Sequence, residues 1–142
     1  MLTRKANAEW KGDLATGTGR LRTETGSFDG QYSFTSRFEE GTGTNPEELI
    51  AAAHAGCYAM ALSAGLAKAG FKPASIKVAD DVVLEKTAEG FTITKIVVHV
   101  SAQVDGLDAA KFLEFAEATK IGCPVSRALA GTSFELDAKL VS

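Results

Sequence analysis

From Leu49 to Ala67 the chain runs nineteen residues without a charge, and its flanks mark the stretch as one helix. Asn45 is a good N-cap, Pro46 suits the first helical position, and Glu48 stands three past the cap to close a capping box. Lys68 complements the dipole of the last turn, and Gly70 supplies the stop. At the standard rise, Pro46 to Ala69 is ~36 Å long, more than a chain of 142 residues needs to cross its own core. A helix that is apolar all round must be covered all round. The length approaches the ~20 residues that span a bilayer. The stretch is rich in alanine, however, which gains little in lipid, and it carries His54, Ser63 and two glycines. A buried helix outside any membrane is the expectation. Ala51, Ala52, Ala53, Ala55, Gly56 and Ala59 permit close approach of another helix. One sheet covers one side only. The simplest cover for the other is the same helix from a second copy, in a twofold homodimer. The alternative is cover by the C-terminal helices of the same chain.

Around this helix the hydrophobic pattern predicts strands at Ala6–Lys11, Thr18–Glu24 and Gln31–Phe38, separated by polar, glycine-rich turns. In the third, Tyr32, Phe34 and Phe38 share one face, and Arg37 takes the other. Ile76, Val78, Val82 and Leu84 share one face of a long strand. Ile96, Val98, Val100, Ala102 and Val104 share one face of the next, with His99 opposite. Asp108 to Lys120 is amphipathic, with Phe112, Leu113, Phe115 and Ala116 at helical spacing. Cys123-Pro124 opens a short helix ending at Gly131, and Ser133–Val141 alternates as a final strand. The order is β-β-β-α-β-β-α-α-β. Because strands and helices do not alternate, this predicts a single α+β domain over residues 1–142 with mostly antiparallel sheet.

Composition narrows the function. A net charge of −3 gives no electrostatic reason to expect nucleic acid or an anionic membrane as partner. Met1–Asn7 has no apolar run behind its basic residues, so no secretory signal is expected and the location is read as cytoplasmic. In that reducing compartment the two cysteines are reactive or structural thiols rather than a permanent staple. Cys123 precedes a proline at a helix start, where N–H groups and the dipole favour an anion. Cys57 lies mid-helix, where backbone donors are used, and reads equally well as a small core residue. His54 reads as a core histidine. With two histidines and two cysteines, a closed zinc site is not expected. A Cys–His hydrolase with His54 or His99 as base has no local signature to support it.

Asn45-Pro46-Glu47-Glu48 through Ala53-His54-Ala55-Gly56-Cys57, together with Gly122-Cys123-Pro124-Val125-Ser126, resembles the two signature regions of the OsmC/Ohr family. Glu9-Trp10-Lys11-Gly12-Asp13, Ser36-Arg37-Phe38-Glu39 and Gly90-Phe91-Thr92 resemble the OsmC branch, and the similarity extends over essentially the whole chain. The resemblance implies an OsmC-like fold, with sheets wrapped around long central helices in an intertwined homodimer. It implies a thiol-dependent peroxidase that prefers organic hydroperoxides and needs no cofactor or metal. Cys57 would be oxidised to a sulfenic acid and Cys123 would resolve it as a disulfide. A dithiol, in the family a lipoyl-bearing protein, would reduce that disulfide. Arg37 and Glu47 match the family's charged pair. Arginine would stabilise the Cys57 thiolate and glutamate would orient the arginine. Glu47 and Cys57 are ten helical positions apart, ~15 Å along the axis, so a shared site would draw Glu47 from the partner subunit. Two other readings of the same residues are a non-enzymatic dimeric stress or ligand-binding protein and a peroxide sensor or disulfide exchanger.

Overall fold

The computed structural model describes residues 1–141; the single-domain expectation also took in Ser142, which lies outside them. The fold is α+β, with two three-stranded sheets and four helices among the described residues. Two compact units divide the chain, Met1–Leu49 and the residues from Ile50 onward.

In the first unit β1 (Ala6–Lys11), β2 (Thr18–Thr23) and β3 (Asp29–Tyr32) form an antiparallel sheet in that order. Gly19 pairs with Trp10 on one side and Tyr32 on the other. A Cβ there would meet both rings, at 2.4 Å for Tyr32 and 2.6 Å for Trp10. The bare glycine lets the rings pack across it with centroids 5.3 Å apart.

The third predicted strand is cut short. Phe34–Phe38 is a helical turn, α1, not the end of a strand. Ser33 caps it: its Oγ accepts from the Ser36 N–H while Ser36 Oγ accepts from the Ser33 N–H. Phe34 and Phe38, four apart, stack one turn above the other at 5.0 Å. Helix α2 (Pro46–Lys68) starts where expected, with Asn45 Oδ1 accepting from the Glu48 N–H at 2.8 Å. The Glu48 carboxylate, expected to close the box, instead accepts from the Thr44 hydroxyl.

In the second unit α2 ends in a Schellman motif. Phe71 N–H bonds Leu66 C=O, Gly70 N–H bonds Ala67 C=O, and Gly70 sits at φ +90°, where glycine carries no Cβ penalty. Strands β4 (Pro73–Thr87) and β5 (Gly90–Val104) form a long antiparallel hairpin. Helices α3 (Ala109–Gly122) and α4 (Pro124–Ala128) then return the chain so that β6 (Ser133–Val141) pairs parallel to β5. The last helix stops at Ala128, short of Gly131. The core lies where the alternation places it: Ile96, Val98, Val100, Ala102 and Val104 are buried, and they pack with Tyr58, Leu62, Leu66 and Phe112. Leu113, read as part of the apolar face of α3, is exposed.

Helix α2 is apolar all round, yet within one chain only one side of it is covered. His54, Tyr58, Leu62 and Leu66 are buried at every fourth position. Ala52, Ala53, Gly56, Met60, Ala64 and Ala67 are exposed. By length and composition alone the helix could cross a membrane, a test that core helices also pass.

Leu62→Ala should cost about 2–5 kcal/mol of unfolding free energy, because the fully buried side chain leaves a cavity. Leu113→Ala should stay within about 0.5 kcal/mol. Urea denaturation of both variants checks this, and equal losses would contradict the burial pattern.

Candidate active site

Packing of α2 places Cys57 at the shoulder of its buried stripe, half-buried, one residue before Tyr58. Tyr58 Oη donates to the Ala116 C=O at 2.7 Å and ties α2 to α3. Burial, with smaller contributions from nearby negative charges, pushes the Tyr58 hydroxyl well above its ordinary range. At the far end of α3, Cys123 is at once its C-cap and the N-cap of α4. Cys123 is buried, and its sulfur lies 3.1 Å from that of Cys57. Both are free thiols. Closing that gap to a disulfide bond requires a shift of about 1 Å.

In the neutral pair Cys123 donates to Cys57. The surroundings decide which sulfur ionises first. Burial, then the hydrogen bond shared with Cys123, raises the Cys57 thiol above its ordinary value, against a smaller lowering by the Val125 N–H. Burial also opposes ionisation of Cys123. There it is outweighed by the Ser126 hydroxyl and N–H, with smaller help from Cys57 and the Val125 N–H, so Cys123 falls below its ordinary value. The Ser126 N–H stands 3.5 Å from its sulfur. The sign therefore favours a Cys123 thiolate that receives a hydrogen bond from the Cys57 thiol, in line with the N-cap environment read from the sequence.

Arg37 and Glu47 meet in the first unit. Arg37 Nη2 donates to Glu47 Oε1 at 2.8 Å, and Nε donates to Oε2 at 3.2 Å, a two-pronged grip. Glu47 is buried, while the Arg37 side chain keeps 36% of its surface exposed. Arg37 reaches Glu47 from the last turn of α1, with its guanidinium 5.2 Å from the Phe38 ring centroid. The strand parity that turned Arg37 away does not apply, because the segment is helical. The structure thus brings Cys57 to Cys123 and Arg37 to Glu47, the first pair in the second unit and the second pair in the first.

A third constellation was missed by sequence reasoning. His54 Nδ1 is hydrogen-bonded to Asp80 Oδ2, and His54 Nε2 lies 2.7 Å from Ser126 Oγ. The side chains of His54 and Asp80 are wholly buried. The signal lay in β4: Asp80 occupies the same parity as Ile76, Val78, Val82 and Leu84, an acid in an apolar row. His99 is unrelated to the thiols. It stands on the outer face of β5 between Asp81 and Asp137, whose hydrogen bonds raise its ionisation point. Among the described residues, no group of three or more His, Cys, Asp or Glu side chains is placed to hold a metal.

The asymmetry of the thiols is measurable. Ultraviolet thiolate absorbance should show two ionisations in the wild type, the lower one lost in Cys123→Ser. Loss of the lower step in Cys57→Ser instead would overturn the assignment.

A sequence model of the family described as OsmC-like protein matches residues 39–137. The peroxiredoxin OsmC of Escherichia coli strain K12 is 49% identical over 127 residues, covering 89% of each chain. An organic hydroperoxide resistance protein of Xanthomonas axonopodis pv. citri is 34% identical over 92 residues, 64% of this chain and 63% of the relative. Among solved structures, the organic hydroperoxide resistance protein OhrB of Bacillus subtilis aligns with a TM-score of 0.69 at 26% identity, covering 96% of this chain and 98% of that one. An OsmC-like protein from Mycoplasma pneumoniae aligns at 0.76 with 12% identity over 99% of each chain, a likeness of fold alone.

Proposed function

The chain belongs to the OsmC-like family, and on that premise we propose that it is a thiol-dependent peroxidase of organic hydroperoxides, with weaker action on hydrogen peroxide. The names of its relatives support a peroxide-related function. The single observation that carries the mechanism is the 3.1 Å contact between two free cysteines. Two inert thiols have no need of it.

In this reading the Cys57 thiolate attacks one peroxide oxygen. The O–O bond breaks, an S–O bond forms, and the alcohol leaves on taking a proton. Cys123 then attacks the Cys57 sulfenic acid, forming the S–S bond and releasing water. An external dithiol, of the kind carried by a lipoyl-bearing protein, restores both thiols by exchange. Cys123, with its lowered ionisation point, is the better leaving group in that exchange. The cycle returns to free thiols, which suits a cytoplasmic setting.

Cys57 is pushed up within its own unit, so its activation must come from a further cation. We assign this to Arg37, held by Glu47. Nε and Nη2 of the guanidinium hold the carboxylate, and the remaining N–H groups are left to serve a thiolate or peroxide oxygen. We assign the pair to a Cys57 of a second copy, in a homodimer that buries the exposed side of α2. Exposed Met60, Ala64 and Ala67 in the uncharged stretch of α2 support that cover.

Cys57→Ser should abolish peroxide consumption. Cys123→Ser should give one rapid turnover and a trapped Cys57 sulfenate, seen by mass spectrometry. If Cys57→Ser keeps multiple turnovers while Cys123→Ser consumes no peroxide, the roles are reversed.

Sedimentation should find a dimer without a folded monomer at micromolar concentration. Purified mixed dimers of Cys57→Ser with Glu47→Ala should keep about half the wild-type activity, since one site then carries both defects and the other neither. Low activity would place each site within one subunit. Arg37→Lys should fail substantially, because a point charge lacks the planar fork.

A further inference from the structure

The thiol chemistry assigned so far leaves a buried acid and a buried imidazole unused, next to the buried Ser126 hydroxyl. We propose that Asp80, His54 and Ser126 form a positioning relay that holds the proton of the Cys123 thiol and so governs the resolving step without touching peroxide. This rests on the peroxidase reading for its step, though not for its first test.

Three contacts lead from the acid to the residue that caps the sulfur. Asp80 Oδ2 meets His54 Nδ1, His54 Nε2 meets Ser126 Oγ at 2.7 Å, and Ser126 faces Cys123 with its N–H 3.5 Å from the sulfur. The Ser126 hydroxyl also favours the ionised form of Cys123. Two arrangements of one proton satisfy every contact. In the first, Cys123 is a thiol, the Ser126 hydroxyl donates to Nε2, and Nδ1–H donates to Asp80. In the second, the imidazole is protonated, Nε2–H donates to Ser126 Oγ, and the Ser126 hydroxyl donates to a Cys123 thiolate. Moving between them takes one proton from sulfur to nitrogen through the hydroxyl.

A structural role explains the cluster poorly. Asp80 Oδ1 is buried and makes no hydrogen bond within the chain, the one such side-chain atom among the described residues. Buried polar groups are nearly always satisfied, and an apolar residue matching the β4 row would avoid that cost. A serine-nucleophile reading also fits poorly. Ser126 keeps 3% of its surface, and its oxygen is engaged by the His54 ring.

The resolving step balances with this relay. The Cys123 thiol gives up one proton, its sulfur lone pair forms the S–S bond, and the Cys57 S–O bond breaks with its electron pair. The departing hydroxide takes up one proton and leaves as water. The relay holds a proton between the loss and the uptake.

The titratable groups around the relay are Cys57 and Tyr58 on α2, Asp80 on β4 and Cys123 at the α3–α4 junction, with Glu117 of α3 acting on Tyr58. Ultraviolet titration of Cys123 in a Cys57→Ser background reads the relay even if the protein consumes no peroxide. Ser126→Ala and Asp80→Asn should each move the Cys123 midpoint up by about one pH unit or more, a tenfold change in the ionisation constant. With Cys57 restored, stopped single turnovers should show the ratio of disulfide formation to Cys57 oxidation falling about tenfold. Ser126→Ala removes one hydroxyl and keeps the core packing, so it remains informative if Asp80→Asn fails to fold. A Cys123 midpoint unmoved in folded Ser126→Ala, or equal slowing of both steps, would overturn the proposal. Absence of any peroxide turnover with a shifted midpoint would overturn the peroxidase reading and leave the relay standing.

Discussion

One-sided burial of α2 is the constraint on which the rest of the second unit depends. His54, Tyr58, Leu62 and Leu66 go inward against the β5 row, each leucine contributing about 1.5–3 kcal/mol by leaving water. That choice of face fixes the rotation of the helix. It sets Cys57 on the shoulder, inside enough to meet Cys123 and outside enough to be reached. It also turns His54 toward Asp80 and Ser126. The bond from Tyr58 to Ala116 locks α3 to the helix, and α3 delivers Cys123. The approach of the two sulfurs is thus a by-product of core packing.

Electrostatics then separates two thiols of like chemistry. Cys123 has the Ser126 N–H at its sulfur and is favoured as an anion by the Ser126 hydroxyl too, so it ionises more readily despite deeper burial. Cys57 has desolvation without comparable help. A peroxidatic role for Cys57 therefore demands a cation from outside its own unit. The Arg37–Glu47 fork is a preorganised one: Glu47 is buried and fixed, and the half-exposed guanidinium has N–H groups to spare. The same asymmetry suits Cys123 to resolving and leaving, where a stable thiolate helps.

Much of this was legible in the chain. The caps of α2 are written in Asn45, Pro46 and Gly70, and the alternation of β5 named its buried row residue by residue. Helix α1 was hidden because Phe34 and Phe38 are four apart, a spacing that fits a strand face and a helical turn equally. The capping serines decided it, through hydrogen bonds rather than hydrophobicity. The parallel pairing of β6 depends on where two helices return the chain, which no local pattern encodes. At the site, the two cysteines stand out by their number and their place at helix signals, whereas their separate roles and the Arg37–Glu47 pair come from motif resemblance. His54 reads as a core histidine and Asp80 draws no notice, because each alone looks like an irregularity of a core element. Their meaning lies in a contact 26 residues apart.

The central claim is that Cys57 and Cys123 are a redox couple within one chain. Treating the reduced wild-type protein with one equivalent of an organic hydroperoxide and mapping its peptides by mass spectrometry tests it directly. The account predicts a single Cys57–Cys123 cross-link within one chain, formed to near completion, with the mass of two hydrogens lost. Unchanged thiols, or oxidation that accumulates on either cysteine without the cross-link, would contradict it.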